Sequence, residues 1–133
     1  EAIADFKKII ALKPKFPDSY VNLGFIYSKL GYYKESIKLY NKTLGLAPDN
    51  FLAYNDRGYS KMELKDYDGA MKDINKSLEL YPGNSYAYRN KALLYIALHQ
   101  IPDACQAIDA SLNYGFTLMY GDEMEKSKDK YCK

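Results

Sequence analysis

The sequence predicts an all-α solenoid of antiparallel helix pairs, closed at its C-terminal end by a capping helix. Three observations lead there. First, NKTLGLAPDN at residues 41–50 returns thirty-four residues later as NKSLELYPGN at 75–84. Self-similarity at a fixed spacing of roughly twenty to fifty residues marks an array of supersecondary units, each burying its apolar face against its neighbours. Second, the apolar spacing is helical. Tyr20, Leu23, Gly24 and Tyr27 fall at i, i+3, i+4 and i+7, with Ile37, Tyr40 and Leu44 continuing on a second helix, and no stretch alternates with period two long enough for a central strand. Third, small residues recur in columns, Gly24, Gly58 and Ala92 in one and Ser36, Ala70 and Ala104 in another. Such positions let paired helices approach; glycine inside a helix otherwise costs roughly 1 kcal/mol against alanine.

The units follow in order. Residues 1–16 read as the second helix of a preceding, truncated unit, with Ala2, Phe6, Ile9 and Pro14 in register. Residues 17–50, 51–84 and 85–118 are three complete units, aligned through Tyr20, Tyr54 and Tyr88 and through Tyr40, Ile74 and Ile108. Pro14, Pro48 and Pro82 close successive units; Gly31 suits a helix C-cap and Pro102 the first turn of a helix, where its missing N–H costs nothing. Residues 119–133 leave the register but keep a stripe at Tyr120, Met124, Ser127 and Tyr131, so a capping helix is expected over roughly Asp122 to Tyr131.

A chain of 133 residues fits one domain. With 27% charged residues it is neither disordered by composition nor a membrane protein. Its longest apolar runs span only a few residues, which excludes a spanning helix, and no basic start precedes an apolar stretch. It opens on Glu1, leaving open a removed leader or larger N-terminal region. A net charge of +2 gives no reason to expect a polyanion. Ala2, Phe6 and Ile9 ask for a helix that the sequence does not contain. The expectation is a fragment of a longer chain, with homo-oligomerisation through the open N-terminal end as the alternative.

The run Tyr20, Leu23, Gly24, Tyr27, Ser36, Tyr40, Thr43, Pro48 resembles a tetratricopeptide repeat. The second unit resembles it through Tyr54, Gly58, Tyr67, Ala70, Ile74, Ser77 and Pro82, and the third through Tyr88, Ala92, Tyr95, Ala104, Ile108 and Ser111. Arg57 and Lys91 stand where a leucine is usual, Lys61 replaces an aromatic, and Phe116 replaces the closing proline, which suggests that the array ends there. The resemblance implies a right-handed superhelix whose first helices line a concave groove. It places Val21, Asn22, Phe25 and Lys29 of the first unit on that groove, Asn55, Asp56, Tyr59 and Met62 of the second, and Tyr86, Arg89, Asn90 and Leu93 of the third. Asparagines there can pair with the backbone of an extended peptide, and the aromatic and aliphatic side chains offer apolar pockets; several of these residues could equally pack against adjacent helices.

Function is therefore expected to be a protein–protein interaction scaffold holding a peptide or partner segment in the groove. The alternative is a purely architectural or self-assembly module with no groove ligand, and a remoter one is a single-stranded RNA-binding helical repeat. The near-neutral charge and Asp56 argue against nucleic acid. Repeat domains of this family that hold acidic chaperone tails use a clamp of lysine, asparagine and arginine; the matching positions here are Val21, Phe25, Asp56, Tyr86 and Asn90, so such a tail is a poor ligand.

No catalytic site is expected. His99 is alone in a turn with no acid or nucleophile beside it, no phosphate-binding glycine pattern occurs, and two distant cysteines with one histidine do not supply metal-ligand spacing; no cofactor is implied. Cys105 lies near the start of one helix and Cys132 ends the capping segment. If the two run antiparallel, about ten residues up and ten back at roughly 1.5 Å each bring the sulfurs to one height. A disulfide would place the chain in an oxidising, extracytoplasmic compartment; two reduced thiols are the equal alternative.

Overall fold

The computed structural model describes residues 2–133, and among these every regular element is a helix. In chain order they are α1 (Ala2–Leu12), α2 (Pro17–Lys29), α3 (Tyr33–Leu46), α4 (Phe51–Glu63), α5 (Tyr67–Leu80), α6 (Ser85–Ala97), α7 (Ile101–Asn113), α8 (Phe116–Tyr120) and α9 (Glu123–Tyr131). Helices α2–α3, α4–α5 and α6–α7 are antiparallel hairpins, and each hairpin stacks on the next, α3 against α4 and α5 against α6. The first helices also touch one another, α2 with α4 and α4 with α6. They therefore form the inner wall of an all-α solenoid.

The local reasons repeat with the sequence. Pro17 opens α2, whereas Asn50, Asp66 and Asn84 cap α4, α5 and α6 by accepting hydrogen bonds from the amides of Ala53, Gly69 and Ala87. Each hairpin turns through one left-handed residue, Gly31 (φ 86°), Lys65 (φ 67°) and His99 (φ 58°). Around them the amides of Tyr32, Asp66 and Gln100 donate to the carbonyls of Tyr27, Lys61 and Tyr95, and those of Gly31, Lys65 and His99 to Ser28, Met62 and Ile96. This is the Schellman arrangement, three times over. His99 is an exposed turn residue.

Inside the hairpins the small columns are close approaches. A Cβ on Gly24 would meet the Tyr40 ring at 2.6 Å, and one on Gly58 the Ile74 side chain at 2.9 Å. Ala70 and Ala104 are fully buried opposite. Ser77 and Ser111 donate to the carbonyls of Phe51 and Ser85, both at 2.8 Å, tying the end of each second helix to the start of its first.

Arg57 and Lys61, departures from the repeat pattern, have a common cause. Asp73 of α5 is buried. It takes two hydrogen bonds from the Arg57 guanidinium at 2.8 Å each and an ion pair from Lys61 at 3.0 Å. The corresponding positions, Leu39 and Ala107, carry no charge. Hydrogen bonding to Asp73 raises the Arg57 pKa.

At the C-terminal end the capping helix expected over roughly Asp122 to Tyr131 is α9, and a short helix that the sequence did not suggest precedes it. Gly115 turns left-handed (φ 88°), and the chain forms α8 before α9. The boundary drawn at residue 118 thus falls inside α8, which Gly121 ends. Phe116 is 1% exposed and Met124 fully buried; both plug the last hairpin against Ala92, Ala107 and Ile108. Helix α9 runs antiparallel to α7, since Lys128 pairs with Asp109 at 2.9 Å while Cys132 meets Cys105. The two cysteine sulfurs lie at disulfide distance, with Cα atoms 5.7 Å apart. Among the described residues no helix is long and apolar enough to cross a membrane.

Candidate functional site

The inner wall repeats three positions. Asn22, Asp56 and Asn90 form one row, Phe25, Tyr59 and Leu93 another, and Val21, Asn55 and Arg89 a third. Their fates differ because α6 crosses close to α4. There the Asn90 amide donates to the Asn55 side-chain carbonyl at 2.8 Å, and both residues are buried. The expected pairing of these asparagines with a partner backbone is therefore replaced by pairing with each other; Asn22 alone of the three site asparagines is exposed. Val21 is buried against Tyr40 and Ala53, and Met62 against Ile74 and Leu94, with Leu93 half-buried beside that cluster.

What remains on the surface converges on two adjoining hollows. The larger, about 420 Å³, lies between the starts of α2, α4 and α6 and the edge of α8. Phe25, Leu52, Tyr86, Met119 and Tyr120 line it together with Phe51 and Tyr81, whose rings meet edge-on at 4.9 Å. Several are large apolar groups in contact with solvent, Phe25 at 41% exposure, Leu52 at 49% and Met119 at 67%. The Tyr86 ring stacks on Phe116 and meets Tyr120 edge-on at 5.1 Å.

The smaller hollow, about 110 Å³, opens beside it and shares Phe25, Asp56 and Tyr86. Its walls also include Ser28, Lys29, Tyr33, Tyr40, Tyr59 and Arg89. Two cations already lie against its aromatic rings: the Lys29 ammonium 5.1 Å from the Phe25 centroid, and the Arg89 guanidinium 5.5 Å from Tyr59 and 5.2 Å from Tyr86. Arg89 is engaged elsewhere, bonded to both carboxylate oxygens of Glu123 and to the Asn90 side chain. Asp56 makes no hydrogen bond or ion pair with any described residue. Burial, only partly offset by Lys29, pushes its carboxyl up to about 7. The Tyr40 hydroxyl is fully buried and makes no hydrogen bond of good geometry; burial and then Asp56 raise its pKa, while the neighbouring Ser28 hydroxyl lowers it. Burial likewise pushes Tyr59 up to about 12 and raises Tyr86.

Sequence reasoning missed Phe51, Leu52, Tyr81, Asn84, Met119 and Tyr120 around the larger hollow and Tyr33 and Tyr40 around the smaller. Leu52 was within reach, since it occupies the same unit position as Tyr86; Met119 and Tyr120 lie outside the period. Among the described residues no cluster of ligating side chains could hold a metal ion.

A solenoid of helical hairpins with an aromatic-lined inner wall defines a helical-repeat class, and three family models place the chain within it. Each describes a tetratricopeptide repeat, and they match residues 17–50, 51–84 and 74–106. The first two coincide with hairpins α2–α3 and α4–α5; the third begins within α5. The chain belongs to the tetratricopeptide repeat family and is a protein–protein interaction module of that kind. No curated protein sequence matches it. Among solved structures, MamA superposes with a TM-score of 0.75 at 17% identity, covering 96% of this chain and 75% of that one. The TPR2B domain of yeast Sti1, in a complex with pHsp70, superposes with a TM-score of 0.75 at 22% identity, covering 86% of this chain and 91% of that one. Both likenesses concern the fold.

Proposed function

We propose that this chain binds an extended segment of a partner protein along its inner wall, with the larger hollow as the principal seat. The observation that carries this reading is the contiguous patch of Phe25, Leu52, Tyr81, Met119 and Tyr120, apolar groups left in solvent around a concavity of about 420 Å³. Exposed apolar patches with a polar rim mark interaction sites, and buried aromatic anchors carry most of the affinity there. Asp56 beside the patch disfavours an acidic tail as ligand, and a net charge of only +2 disfavours nucleic acid. The groove residues with accessible side chains, Asn22, Phe25, Asp56, Tyr59 and Tyr86, would make the contacts, while Asn55, Asn90 and Met62 hold the wall in shape. No catalytic or cofactor role is proposed.

The test is selection of displayed twelve-residue peptides on the intact chain. Leu52→Glu combined with Met119→Glu is expected to abolish capture with helicity unchanged, whereas Lys38→Glu on exposed α3 should leave it intact. Capture that survives the double substitution would contradict the groove.

A second reading has its own observation. Ile9, Leu12 and Phe16 are 38%, 82% and 45% exposed, and α1 buries no residue. This supports self-association through α1; a strictly monomeric sedimentation profile up to high concentration would remove it.

A further inference from the structure

We infer that the smaller hollow is a cation-accepting subsite, taking the ammonium or guanidinium head of a lysine or arginine in the bound partner segment. The inference rests on the groove reading and names the chemistry of its occupant.

Four features carry it. The hollow is lined by a carboxylate, Asp56, that no described side chain pairs with, and by the buried Tyr40 hydroxyl, whose one polar neighbour is Ser28. Both can accept hydrogen bonds from a cation's N–H groups, and a buried polar group without a partner is costly enough to need a reason. Its walls are aromatic, from Phe25, Tyr33, Tyr59 and Tyr86, and the protein's own Lys29 and Arg89 already rest on three of those rings. The rim therefore demonstrates the chemistry, while the floor keeps its charge unmatched. Its size agrees: one water needs roughly 10–15 Å³ of such volume, so about 110 Å³ admits a group of several heavy atoms. Finally, Phe25, Asp56 and Tyr86 belong to both hollows, so a chain lying in the larger one can drop a side chain into the smaller.

The groups facing Asp56 set the pH behaviour: Lys29 from α2, Tyr40 from α3, and Tyr86 and Arg89 from α6. Tyr40 and Tyr86, both raised by burial, stay neutral throughout the range where Asp56 titrates. A bound cation favours the ionised carboxylate, so affinity should rise between about pH 6 and pH 8 and a proton should be released on binding.

The probes are n-butylammonium and n-butylguanidinium, with butyrate and n-butanol as controls, titrated into the isotope-labelled intact chain. The two cations are expected to shift the amides of Asp56, Tyr59 and Tyr86 saturably, and the controls are not. Asp56→Asn should weaken the cations by about tenfold, and Tyr40→Phe by less, in line with loss of a charged and a neutral hydrogen bond respectively. Equal shifts from butyrate or butanol, or unchanged cation binding in Asp56→Asn with native helicity, would overturn the subsite. Peptide capture that remains sensitive to Leu52→Glu and Met119→Glu would then leave the groove standing, and its absence would remove the groove separately.

Discussion

Adjacent residues on α4 face opposite ways and meet opposite fates. Arg57 turns toward α5, where Asp73 binds it through two hydrogen bonds and also takes Lys61. Asp56 turns toward the inner wall, where no described side chain pairs with it. Both carboxylates are recessed, so both carry a desolvation cost. On the packing face that cost is offset by two cations within 3.0 Å, and the cluster acts as a joint inside the hairpin. On the groove face Lys29 offsets it only in part, and no hydrogen bond or ion pair from a described residue reaches Asp56. Charge left without a partner at one residue, beside charge matched so closely at the next, supports the proposal that the groove is the face that meets a partner.

The largest effect should come from breaking the matched face. Asp73→Ala strands Arg57 and Lys61 in a mostly buried setting and is expected to cost about 3 kcal/mol in urea unfolding. Adding Arg57→Leu and Lys61→Tyr, the residue types usual at those positions, should recover most of that loss. Next, reduction of the Cys105–Cys132 pair, or Cys105→Ser, should free α9 and lower stability by about 3 kcal/mol or less, given a closed loop of 27 residues. Free thiols in unreduced protein by mass spectrometry would refute the bridge and, with it, the proposed oxidising compartment.

The unmatched face should behave in reverse. Because the Asp56 pKa is raised in the folded protein, the native state binds its proton more tightly than the unfolded chain does. Stability is therefore expected to be highest below about pH 4 for this group, to fall as pH rises toward 7, and to level off above it. Asp56→Asn should flatten that fall and stabilise the protein at pH 8 by roughly 1–2 kcal/mol. A control away from both faces should give the smallest change: Lys65→Gly and His99→Gly relieve left-handed backbone and should each add about 0.5–1 kcal/mol, whereas Gly31→Ala should lose a similar amount.

The hairpins were legible because their determinants are local and periodic. Helical spacing, the small columns and the turn position shared by Gly31, Lys65 and His99 all recur at one interval. Three features were not. Helix α8 is five residues long and outside the period, and its anchor, Phe116, looked in sequence only like a missing proline. Arg57 and Lys61 looked like departures because their cause, Asp73, sits on the other helix; three charges appearing together where the neighbouring units are mostly uncharged was the available signal. The groove row lies on the first helices, but which of its members face outward depends on how closely α6 crosses α4, and that distance is set by packing rather than by period. Asn55, Asn90 and Met62 are buried for this reason.

The most direct measurement is the titration of the Asp56 side-chain carbon by NMR in the intact chain, with and without n-butylguanidinium. An unmatched carboxylate should show a midpoint near 7 in the free protein, falling by about one unit or more when the cation is present. A midpoint near 4, the ordinary carboxylate range, and indifferent to the cation would mean that the groove face is as fully matched as the packing face.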